Sequence, residues 1–78
     1  MALPVEPTIH WEKAATDGSA WVADPEPTYH LSVWLGNRGW DWHILDPTGR
    51  EMDWGRAEAT AETAKAVSEK AYRARKPA

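Results

Sequence analysis

The sequence predicts an α+β fold: a four- or five-stranded antiparallel sheet, built from an N-terminal hairpin and a three-stranded meander, with one C-terminal helix packed on one face. Three observations carry this. Two tight-turn sequences between Tyr29 and Trp54 give strand registers that agree on one apolar face. The hydrophobic period changes from two to 3.6 near Ala57. The helical stripe that follows is almost all small residues, sized to lie over a face crowded with tryptophan.

In chain order, residues 1–7 hold two prolines and are expected to be extended or disordered. Residues 8–23 read as a hairpin. Ile9 and Trp11 alternate on one side, Asp17-Gly18 supplies the turn, and Ala20 to Ala23 return with Lys13 opposite Trp21. Asp24-Pro25-Glu26-Pro27-Thr28 reads as a stiff break, because proline cannot donate to a strand ladder.

Residues 29–54 form the meander. Asn37-Arg38 between Gly36 and Gly39 closes a two-residue hairpin, which sets Leu35 opposite Trp40, Val33 opposite Trp42 and Leu31 opposite Ile44. Asp46-Pro47-Thr48-Gly49 is a type I turn with Gly49 in the left-handed position. Continued without interruption, that register sets Ile44 opposite Met52, Trp42 opposite Trp54 and His43 opposite Asp53. The predicted apolar face is then Leu31, Val33, Leu35, Trp40, Trp42, Ile44, Met52 and Trp54.

Residues 57–76 form the helix. Its stripe is Ala57, Ala61, Ala64, Val67 or Ser68, Ala71, and Tyr72 or Ala74, with Thr60 as N-cap and Pro77 as a stop.

A chain of 78 residues makes one domain near the lower size limit for a self-sustaining core. With no cysteine it has neither disulfides nor thiolate ligands. It holds no apolar run long enough to span a bilayer, and MALPVEPT lacks the basic start of a signal peptide, so the expected location is cytoplasmic. Six tryptophans and no phenylalanine serve chiefly as core bulk, since one indole buries about 200 Å². Net charge is −3, unevenly spread: residues 1–54 carry nine acids against three bases, and residues 55–78 carry six bases against three acids. This asymmetry bears on partners rather than on the fold.

The uncovered sheet face is expected to present His30, Ser32, Trp34, Asp41, His43, Leu45, Glu51 and Asp53. Trp34 ringed by Asp41, Glu51 and Asp53, with His43, reads as a docking surface for a basic protein partner. His43 beside Asp53 is the one acid–base pair in that register. No nucleophile of evident reactivity adjoins it, and a metal would want a third ligand for which only His30 or Asp41 is available, so it reads as an exposed cross-strand ion pair. No catalytic residue, metal or cofactor is expected. Arg38 and Arg50 in the turns, with Lys70, Arg73, Arg75 and Lys76 at the helix end, are the candidate contacts of an alternative nucleic-acid reading. The helix-end charges also complement the dipole.

From Tyr29 to Arg75, three strands followed by a helix opening at Thr60 resemble in layout the plant AP2 and integrase arm-binding domains. Those families lay the free sheet face on DNA; here Asp41, Glu51 and Asp53 would repel phosphates. The segment WDWHILDPTGREMDWGRAEATAETAK also resembles small accessory proteins of bacteriophages and mobile elements, and in size, charge and style the chain is similar to anti-CRISPR proteins. That likeness implies a non-enzymatic inhibitor, monomeric or weakly dimeric, whose acidic face docks on a basic surface of a CRISPR effector complex, without membrane attachment and without direct nucleic-acid binding.

Overall fold

The structure, a computed structural model, describes residues 9–26 and 29–75. It is an α+β fold with one five-stranded antiparallel sheet and one C-terminal helix. The strands are β1 (Glu12–Lys13), β2 (Ala20–Glu26), β3 (Tyr29–Leu35), β4 (Trp40–Leu45) and β5 (Glu51–Glu58), and α1 spans Ala61–Arg75. The strand order in space is the order in sequence, so the N-terminal hairpin extends the meander beyond β3. Lys13 pairs with Trp21, as the turn at Gly18 requires. The expected extended segment 1–7 lies outside the described residues.

The β3–β4 hairpin has the predicted register, with Leu31, Val33 and Leu35 opposite Ile44, Trp42 and Trp40. Gly36 N–H donates to Gly39 O at 2.7 Å to close it. Leu31, Val33 and Ile44 are fully buried, and Trp42, Ala64 and Tyr72 complete the centre of the core. Leu35, at the strand end, is 55% exposed, although its parity puts it on the apolar face.

Two expectations about the strands are corrected. Of the stiff break expected at Asp24–Thr28, Asp24 to Glu26 instead continue β2, with Glu26 paired to Tyr29, while Pro27 and Thr28 lie outside the described residues. Pro25 sits where the register shifts between Ala23 and Glu26, so its missing N–H falls in an irregular step of the ladder. The other correction concerns β5. Leu45 pairs with Glu51 as the turn predicts, but one residue is then added at Met52, and Ile44 pairs with Asp53, His43 with Trp54 and Trp42 with Gly55. A bulge of one residue reverses the facing of everything beyond it. Trp54 leaves the predicted apolar face and is 55% exposed, while Asp53 turns to the helix side, where Arg75 Nε lies 3.6 Å from its Oδ2. The physical cause is volume. An uninterrupted register would set two indoles against each other beneath the helix, whereas the bulge places Gly55 against Trp42.

A second bulge lies opposite Asp41, between the Trp42–Gly55 and Trp40–Glu58 pairs. There Ala57 takes a left-handed backbone (φ 60°), and its N–H donates to Asp41 Oδ1 at 3.0 Å. Residues 57 and 58 therefore finish β5, and the helix begins at Ala61 rather than at 57. Thr60 caps it as expected: Thr63 N–H donates to Thr60 Oγ1 at 3.0 Å. Ala64, Ser68 and Tyr72 are its buried stripe, packed on β3, β4 and β5. Trp11 and Trp21 lie on this same side. Trp11 Nε1 donates to Glu69 Oε2 at 2.7 Å, and Lys65 Nζ stands 3.6 Å from the Trp21 ring centroid. The N-terminal hairpin thus flanks the helix and, among the described residues, leaves the opposite sheet face open.

The turn at Asp46 carries a pH dependence. Its carboxylate accepts from Thr48 Oγ1 at 2.7 Å and from the N–H groups of Thr48 and Arg50, each at 2.9 Å. These bonds, the Thr48 hydroxyl first, hold its pKa below the ordinary aspartate value. A depressed folded-state pKa stabilises above the unfolded value and loses that contribution as pH falls through the folded one. Acidification from about pH 6 to about pH 3 is therefore expected to lower the melting temperature of the wild type more than that of Asp46→Ala. Equal losses would exclude the turn as a contributor.

Candidate interaction face

Alternation places the odd members of one strand and the even members of the next on the open face. β3 contributes His30, Ser32 and Trp34; β4 contributes Asp41, His43 and Leu45; β5 contributes Glu51 and Trp54. At the centre, Trp34 and His43 meet edge to face, with ring centroids 5.0 Å apart. His43 Nδ1 lies 3.4 Å from Glu51 Oε2, so the predicted partner Asp53 is replaced by Glu51. Arg56 extends the aromatic row, its guanidinium carbon 5.0 Å above the Trp54 ring. Trp34, Asp41, Glu51, Trp54 and Arg56 together line a shallow groove.

Four of the five predicted partner-binding residues therefore share this face: Trp34, Asp41, His43 and Glu51. Asp53 does not, for the bulge removes it. Trp54 takes its place, and alternation alone could not have selected it. Asp41 is present but engaged, since its carboxylate holds the Ala57 bulge and lies against Gly36.

The candidate nucleic-acid contacts are dispersed. Arg38 and Arg50 are exposed in turns at opposite ends of β4. Arg73 Nη1 is 3.6 Å from Glu69 Oε1 and Arg75 faces Asp53, so carboxylates meet both cations; Lys70 is exposed, and Lys76 lies outside the described residues. Among the described residues, no three His, Asp or Glu side chains converge as a metal-binding group, and no helix is long and apolar enough to cross a membrane.

On the β2 side of the same face, sequence reading missed a hydrogen-bonded chain. Asp24 Oδ1 lies 2.8 Å from His30 Nδ1, and His30 Nε2 lies 2.9 Å from Ser32 Oγ. No protein-family model, curated protein or solved structure matches the chain.

Proposed function

We propose that the chain is a protein-binding module that docks its open sheet face on a basic protein surface. The observation that carries this reading is the pairing of an uncovered aromatic row, Trp34 and Trp54, with a carboxylate surround. Glu12, Asp24, Asp41 and Glu51 stand on or beside the face, with Arg56 on it and Arg38 at its edge beside Trp34 and Asp41. Aromatic anchors in a polar rim are the usual composition of an interface hot spot. Carboxylates facing a basic partner speed association and make it salt-sensitive. The nucleic-acid channel of a CRISPR effector complex is a surface of that chemistry, and the anti-CRISPR-type inhibitor is the specific form we propose.

The test is affinity capture by wild type beside Trp34→Ala/Trp54→Ala and Glu51→Lys, followed by titration of the captured protein, purified, at low and high salt. Asp41 and Asp53 are unsuitable probes because both hold backbone or helix contacts. A basic protein that binds wild type, loses on the order of a hundredfold with the double variant and weakens with salt supports the reading. Equal binding by all three chains, or recovery of nucleic acid by all three, overturns it.

A further inference from the structure

The Asp24–His30–Ser32 chain has an assignable proton order. An ionised aspartate only accepts hydrogen bonds, so His30 Nδ1, 2.8 Å from Asp24 Oδ1, carries the imidazole hydrogen in the neutral ring. His30 Nε2 is then the acceptor, and Ser32 Oγ, 2.9 Å away, donates to it. A hydroxyl donating to an imidazole that is itself oriented by a carboxylate is the constellation that activates serine. The fold builds it simply. His30 and Ser32 are two apart on β3 and so share a face, and the irregular step of β2 at Pro25 brings Asp24 beside them.

Two aromatic neighbours flank the hydroxyl on the same face. His43 is directly opposite Ser32 on β4, and cross-strand partners hold their Cβ atoms about 5 Å apart. Its Nδ1 lies 3.4 Å from Glu51 Oε2. Trp34, two residues beyond Ser32 on the same face, offers a flat apolar surface for an aromatic group.

We propose that Ser32 is a nucleophile that cleaves activated aryl esters, with His30 as general base and Asp24 as the residue positioning that base. Ser32 Oγ bonds to the ester carbonyl carbon as its proton passes to His30 Nε2. The carbon–oxygen bond to the aryl group breaks, and His30 returns the proton to the departing aryloxide. Water then attacks the acyl-serine, giving a proton to His30 and releasing the carboxylic acid, and Ser32 recovers its hydrogen. The balance is ester plus water to acid plus phenol. This reaction goes beyond docking, since it requires neither Trp54 nor a partner.

The test uses the purified chain, p-nitrophenyl acetate and a fluorophosphonate probe. Free imidazoles also cleave such esters, so the rate alone is insufficient and the site of acylation decides. Wild type is expected to carry acetyl and phosphonyl groups at Ser32 and to release p-nitrophenolate on the order of a hundredfold faster than Ser32→Ala or His30→Gln. Asp24→Asn should slow it and Asp24→Glu should recover part of the rate, which loss of fold would not produce. Acylation mapping to a lysine or to His10, or a Ser32→Ala rate equal to wild type, overturns the proposal. The mapping on wild type decides it even where a variant fails to fold.

Discussion

Gly55→Ala is expected to destabilise the protein by about 2–3 kcal/mol, an overpacking cost. Gly55 is opposite Trp42, and the indole lies on it: a Cβ at Gly55 would stand 2.6 Å from Trp42 Cε2 and 2.8 Å from Cζ2. The ring cannot move away, because Trp42 is only 4% exposed and packed among Leu31, Val33, Ile44 and Ala64. Its Nε1 is buried without a hydrogen-bond partner among the described residues, a further sign that the indole sits against β5 for shape rather than polarity. For a domain of this length the loss corresponds to a fall in melting temperature of about 10 °C or more. A chemical-denaturation midpoint equal to that of wild type would mean that the indole does not rest on Gly55.

The same contact explains which part of the fold can be read from the sequence. The β3–β4 register is local: glycines flanking Asn37-Arg38 allow a two-residue turn, and alternation does the rest. The helix start is also local, because Thr60 needs only its own hydroxyl and the Thr63 N–H. The β5 bulges are not. The turn at Asp46 delivers the predicted Leu45–Glu51 pair, and alternation beyond it gives no reason to insert Met52. What selects the bulge is the volume between sheet and helix, a quantity spread over three elements. The one sequence-level sign was Gly55 itself, since an isolated glycine within a strand marks a bulge or a close approach.

The face was legible to the same extent. Trp34, Asp41 and His43 follow from β3–β4 parity. Glu51 follows from the turn, and Asp53 fails because it lies one residue past the bulge. The Asp24–His30–Ser32 chain was half visible, as His-x-Ser on one strand face. Its third member depended on β2 continuing through Pro25, where proline read as a terminator. A proline at an irregular ladder step costs no hydrogen bond, so it did not stop the strand.

Trp42→Ala and Trp54→Ala, measured together, decide the register of β5. Trp42→Ala is expected to cost about 3–5 kcal/mol, since a buried indole is removed from a core that cannot close over the void. Trp54→Ala is expected to cost less than about 1 kcal/mol, the value of an exposed cation–π contact with Arg56. The asymmetry is specific to the bulged pairing. In the uninterrupted register the two rings would oppose each other beneath the helix, and each truncation would open a comparable cavity. Iodide quenching gives an independent reading, because the exposed Trp54 should account for much of the accessible fluorescence and Trp42 for almost none. Equal costs and equal quenching would return Asp53 to the open face, remove Trp54 from it, and take away one of the two aromatic anchors on which docking depends.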